Sequence, residues 1–278
     1  MKNSLKNNIK YDLITGIKNR WSIYLLFTVV TIILCASISN EAYRRRLGSI
    51  SLVEYLIKVF MGMKDFSNAD RTAIFSIPYE WFIVQSFFII MMSGYPKADF
   101  NERGYQVLIR SKSKKKWWFS KCVWLLCSTV LYYSILYLII MVFAYFSAGL
   151  SLDTRSDIWK CGVNILNRKN IITAVFIMPA IVSLTLGILE MCIAFLTSTI
   201  IAVFCTLSYL VMSAYWSNPI LIGNYTMVLR NEAIIGRQGV NSEMGFSLCF
   251  VLSVLCIIIG YKHLKKTDIM LITKTHNT

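Results

Sequence analysis

Residues 95–121 read YPKADFNERGYQVLIRSKSKKKWWFSK and lie between two apolar runs, each long enough to cross a bilayer. The stretch holds eight basic residues (Lys97, Arg103, Arg110, Lys112, Lys114, Lys115, Lys116 and Lys121) against two acids, Asp99 and Glu102. Short loops this rich in Lys and Arg are retained on the cytoplasmic side of the membrane. Trp117 and Trp118 follow the basic run, where amphipathic rings are expected at the headgroup level. Ahead of the run, residues 99–110 have the pattern of a short helix. Phe100, Gly104, Val107 and Leu108 fall on one face, and Glu102, Arg103, Gln106 and Arg110 fall elsewhere. Held under a membrane between two spans, such a helix is a candidate docking knob for a cytosolic partner. The competing reading is a basic topogenic turn, which needs no amphipathic helix ahead of its charges.

Composition points the same way. The 278 residues are 56% hydrophobic and only 15% charged, whereas a soluble domain carries about 25% charged residues. Mean hydropathy is +0.57, so the chain belongs to the polytopic helical membrane class. A net charge of +15 would suggest nucleic acid in a soluble protein. Here the charge sits in loops and tails beside apolar runs, without a nucleic-acid reader module, so membrane lipids and topology account for it. Seven of the eight cysteines lie in or at the edges of apolar runs, and only Cys161 falls in an expected external loop. They read as small core residues rather than a disulfide framework.

In chain order, residues 1–20 read as a polar cytosolic tail, with five Lys/Arg and Asp12 as its one acid. The expected spans are about 21–37, 77–94, 117–146, 171–188, 193–215 and 246–261. The first reads as a retained signal-anchor helix, because its apolar part is long and further spans follow. Residues 40–76 lie outside, although Arg44, Arg45 and Arg46 oppose the positive-inside trend. Within them, residues 50–61 form an amphipathic helix, either flat on the outer surface or packed over the outer ends of the spans. Gly94, Tyr95 and Pro96 break the second span. Pro179 is expected to kink the fourth. The apolar stretch 171–215 contains one charge, Glu190, which places an inner turn near residues 187–190 and makes Glu190 a carboxylate in a solvated turn. Inside segments then hold 17 Lys/Arg and outside segments 12. The fold class is all-α: a single polytopic transmembrane domain, 1–278, of six transmembrane helices with both termini cytoplasmic.

Catalytic chemistry is sparse. The two histidines, His263 and His276, sit in the C-terminal tail, and the sequence contains no HExxH motif and no carboxylate pair within a span. It also lacks a G-x-x-x-x-G-K-[ST] phosphate loop, so the chain is expected to be neither an enzyme nor an ATPase. Energy for active transport would have to come from another polypeptide.

NERGYQVLIRSKSKKKWWFSKCVW, residues 101–124, set between the second and third of six spans, resembles the permease subunits of bacterial ABC-2 type transporters. Within that group it looks like the small permeases of Gram-positive bacteria. The resemblance implies a coupling helix over residues 99–110, seated in a groove of a separate ATPase subunit, with 95–121 as the cytosolic coupling loop. It makes Asp99, Phe100, Glu102, Arg103, Tyr105 and Gln106 the contacts, with Arg110 closing the segment. The implied partners are an ATP-binding-cassette ATPase, a second permease copy or paralogue, and membrane lipids. No cofactor is implied beyond ATP on the partner. Gln85, Pro179, Thr197 and Thr199 are then candidate pathway-lining residues, and the location is the bacterial cell membrane, multi-pass. Export of a peptide, a lipid or an amphipathic compound would be the activity. The alternative is a non-transporting membrane sensor or an immunity protein that binds a toxin at the outer surface.

Overall fold

The computed structural model describes residues 3–66, 75–101, 113–148, 150, 151, 155, 159, 172–232 and 239–266. Residues 1–20 do not form a loose polar tail. Asn3–Lys18 is a helix, α1, that lies along the start of the long apolar helix Lys114–Ala148. Leu13 and Ile17 face the core, and at Gly16 the two helices approach so closely that a Cβ would strike the Trp124 ring. The remaining helices are α2 Trp21–Arg44, α3 Leu52–Val59, α4 Tyr79–Met92, α5 Tyr95–Asp99, α6 Lys114–Ala148, α7 Met178–Leu196, α8 Thr199–Tyr215 and α9 Ser242–Lys266. A single isolated bridge, Asn231 to Val240, is the one β contact among the described residues.

Among the described residues, four segments are long and apolar enough to cross a membrane: Trp21–Arg44, Lys114–Ala148, Thr173–Leu196 and Ser242–Lys266. Among the described residues, α4 and α8 are shorter, at 14 and 17 residues. These lengths give roughly 21 and 26 Å of helix, against a hydrocarbon layer of about 30 Å. The segment containing α7 is the centre of the bundle. Its apolar window is 61% buried, whereas that of α9 is 22% buried. Gly187 lets it approach Leu125 of α6 and Phe88 of α4, where a Cβ would meet them at 3.1 and 3.3 Å.

The helix runs unbroken through residues 187–190, so the expected inner turn is not there. The chain turns at Thr197 and Ser198 instead. Ser198 adopts an extended backbone and its side chain accepts the Ile201 amide at 3.3 Å, an N-cap that starts α8. Glu190 is consequently not in a solvated turn; it is 2% exposed inside the bundle. Near Pro179, Thr173–Ile177 is a π-turn, in which the Met178 amide reaches the Thr173 carbonyl. Two α6 hydroxyls serve this irregularity, Tyr137 donating to the Phe176 carbonyl at 2.6 Å and Tyr133 to that of Pro179 at 2.9 Å.

The shift of the turn can be read by charge insertion. In a glycosylation-mapping assay, Thr199→Lys at the first residue of α8 is expected to be tolerated. Thr206→Lys, at a fully buried position two turns further on, should oppose insertion by about 2.5–3.5 kcal/mol. Equal tolerance at both positions would mean that α8 does not cross the bilayer.

At the end of the bundle remote from α1, a cap is built from α3 and the 3-10 turns Ile222–Thr226 and Val228–Arg230. Every residue of α3 is buried, so the helix packs over the span ends rather than lying flat on a surface. Ser51 and Glu54 form a reciprocal capping box at its start. The Val228 and Leu229 amides donate to the Phe60 and Met61 carbonyls at 2.9 and 3.1 Å. The first 3-10 turn folds back beside the bundle. Gly223 abuts Ser213 and Leu210 of α8, and Thr226 accepts the Trp81 indole of α4 at 2.6 Å.

Candidate functional site

Residues 102–112 lie outside the described residues, and with them Glu102, Arg103, Tyr105, Gln106 and Arg110. Both ends of that loop are described, and the structure joins them. Lys121, on the first turns of α6, is fully buried, and a buried ammonium must be paired. It reaches Asp12 of α1 at 2.5 Å and Asp99, the last residue of α5, at 2.6 Å. Ser120 donates to the second Asp12 oxygen at 2.5 Å, and the Tyr95 hydroxyl donates to the first at 3.1 Å. The rings of Tyr95 and Trp117 lie 4.6 and 5.0 Å from the Lys121 nitrogen, within cation–π range. Burial and the two carboxylates, Asp12 and Asp99, push the Tyr95 phenol far above its ordinary range, so it remains a proton donor.

An aromatic cluster closes the same junction. Phe100 packs edge-on to Trp117 and Phe195, with centroids 5.5 and 5.7 Å away, and Trp118 packs on Phe195 at 5.3 Å. Phe100, Trp117 and Trp118 are all buried, so the two indoles face the protein interior. Trp118 also donates to the Ile257 carbonyl of α9 at 3.1 Å.

Basic residues around this end satisfy helix C-termini. Arg20 donates to the Met91 and Ser93 carbonyls at the end of α4. Lys97 donates to Ala194 and Thr197 at the end of α7, both at 2.7 Å, and Lys114 to Lys265 at the end of α9, at 3.1 Å. Each cation meets the negative end of a helix dipole and carbonyls that lack an intrahelical donor. Burial pulls the Arg20 guanidinium below its ordinary pKa, and Glu190 partly restores it. Glu190 Oε1 itself makes no hydrogen bond to a described residue.

The sequence profile of a family described as "Protein of unknown function (DUF2705)" matches residues 48–270. The chain belongs to the DUF2705 family. No curated protein and no solved structure matches it. The stretch matched to DUF2705 includes Asp99, Phe100, Trp117 and Lys121 of the junction; Asp12 precedes it.

The other sequence-derived candidates fall into two separated groups. Gln85, 0% exposed, joins Ser183 at 2.7 Å and Tyr133 at 3.4 Å, and Tyr133 reaches Ser183 at 2.6 Å and the Pro179 carbonyl. Thus Gln85 and Pro179 meet in one buried polar cluster between α4, α6 and α7. Thr197 and Thr199 lie at the other end of α7, roughly 21 Å from Ser183 along the helix. Thr197 is exposed and Thr199 half-buried. Sequence reasoning missed the partners of Lys121. Asp12, the one acid in a basic tail, and Lys121, the one charge within the run 117–146, were its visible signals.

Proposed function

We propose that this DUF2705 chain is the permease subunit of an ATP-driven ABC-2 type transporter, too small to enclose a pathway alone and so paired with a second permease and a separate ATPase. The chain crosses the membrane six times in this reading, with α4 and α8 as the short spans and both termini in the cytosol. The supporting observation is the junction of Lys121 with Asp12 and Asp99. It clamps both ends of the 102–112 loop to α1 and α6, so force applied to the loop enters two helices directly. A loop serving only topology needs no such clamp. Glu102, Arg103, Tyr105, Gln106 and Arg110 are the proposed ATPase contacts; Asp99 and Phe100 hold the loop from inside. The substrate class is a peptide, a lipid or an amphipathic compound, moved outward.

The test is co-purification with any ATP-binding-cassette ATPase encoded beside it, at matched expression. Glu102→Lys should lower recovery of the ATPase by roughly thirtyfold, the loss of about 2 kcal/mol typical of a central contact. Lys115→Ala, at an exposed position beyond the loop, should leave recovery unchanged. An impermeant thiol reagent should label Asn241→Cys and spare Lys115→Cys. Failure of any ATPase to co-purify overturns the transporter reading in favour of a sensor or immunity protein. Labelling of Lys115→Cys overturns the orientation.

A further inference from the structure

A cleft of about 600 Å³ opens at the capped end, between the ends of α2 and α6. Phe143 and Phe146 of α6 form one wall, and Phe146 is 82% exposed. Hydroxyls line the interior. Ser39 and the buried Tyr55 are 2.7 Å apart, and Ser147 accepts the Ile50 amide at 2.9 Å and pairs with the Tyr55 hydroxyl. Arg46 stands at the rim. Its neighbour Arg45 is paired with Glu41 at 2.6 Å, and Arg155 is paired with Glu54 at 3.0 Å. Arg46 makes no ion pair among the described residues.

The placement of this cleft fixes the kind of molecule that fits it. It lies where two helices of bilayer length end, so its apolar wall adjoins lipid chains and its rim adjoins the headgroup layer. The Arg46 guanidinium complements a phosphate, because its planar fork can donate two parallel hydrogen bonds. The exposed Phe146 and the half-buried Phe143 complement an acyl chain. Arg46 also sits at φ 54, a backbone region uncommon for residues other than glycine.

We infer that this cleft is a binding site for an anionic phospholipid, with the phosphate on Arg46 and an acyl chain along Phe143 and Phe146. The inference needs α2 and α6 to cross the membrane and is independent of the transporter reading. It gives a role to an arginine cluster that stands against the positive-inside trend: Arg46 is held outside by a headgroup it binds.

The experiment is native mass spectrometry of the full chain released from nanodiscs of phosphatidylglycerol or phosphatidylcholine. Phosphatidylglycerol should be retained and phosphatidylcholine lost. Arg46→Gly removes the guanidinium and suits the positive φ, so the thermal midpoint should hold while retention falls about fivefold, the worth of one arginine at a headgroup. Arg44→Ala removes an equal charge outside the cleft and should leave retention intact. Millimolar inorganic phosphate should not displace the lipid. Equal retention of both lipids, equal loss in the two arginine variants, or displacement by phosphate alone would each overturn the assignment.

Discussion

Lys121→Met is expected to lower the stability of the folded chain by about 3–5 kcal/mol, the usual consequence of stripping one partner from a buried ion cluster. The substitution nearly preserves volume, so packing changes little and the effect is electrostatic. Asp12 and Asp99 would be left facing each other in a site where their shared counter-ion is 0% exposed. Two buried carboxyl groups without a cation between them have lost the partner that offset their desolvation. The first element to detach should be α1, since Asp12 is its one buried acid and its apolar contact is thin. Hydrogen exchange should therefore rise across residues 3–18 before it rises in α7. The triple variant Lys121→Met, Asp12→Asn, Asp99→Asn should recover most of the lost stability, because it removes the buried charges and the amide at position 12 can accept from one of the Ser120 and Tyr95 hydroxyls while its NH2 donates to the other oxygen. A single variant that melts like the parent, or a triple variant as weak as the single, would show that the cluster contributes nothing net.

The second large effect is at the opposite end. Arg230 is 2% exposed and donates to five backbone carbonyls: Met63 at 2.9 Å, Lys64 at 3.2 Å, Ala214 at 2.6 Å, Trp216 at 3.2 Å, and Ser213. It also donates to the Asn224 side chain. Three of those carbonyls close α8, so the guanidinium caps a helix C-terminus and ties it to the chain after α3. Burial lowers its pKa to about 10, opposed by Asp65, which leaves it charged at neutral pH. Arg230→Ala strands several buried acceptors at about 1–3 kcal/mol each where water cannot enter. The thermal midpoint should fall steeply, and limited proteolysis should open near residue 64. Arg230→Lys should rescue only part, since one ammonium has three donors and no planar fork. Full rescue by lysine would mean that charge, rather than the pattern of donors, holds the cap.

The long helices were legible because their signal is local. The expected spans 21–37, 117–146 and 246–261 each lie within an observed helix, since an apolar run of bilayer length carries its own boundary markers. The 171–215 stretch has no such markers inside it. Its one charge drew the turn toward Glu190, whereas the chain turns where Ser198 offers an N-cap. A carboxylate in an apolar run is ambiguous by itself: it is either solvated or buried, and only tertiary structure decides. The same limit applies at Phe100. Periodicity found an apolar face, but it does not say which body covers that face; here it is Trp117 and Phe195. The junction was hidden more deeply. Asp12 and Lys121 each look anomalous in their segment, yet they are 109 residues apart, and a single sequence does not pair them. Helix α1 was missed because its polar residues outnumber its apolar ones and its partner surface lies far along the chain.

α6 spans both of these ends without a break, with Lys121 in the junction and Ser147 in the lipid cleft. The separation along its axis is roughly 39 Å at 1.5 Å per residue. A continuous helix of that length behaves as a rigid rod on the scale of a few degrees. If its basic end is held and the axis swings by about 5°, the far end travels roughly 3 Å, more than half the rise of a helical turn. The lever arm is thus long enough to convert a small displacement at one end of the bundle into a change of cleft width at the other, and the π-turn at Thr173–Ile177 lies beside its distal half as the least regular stretch of the neighbouring helix.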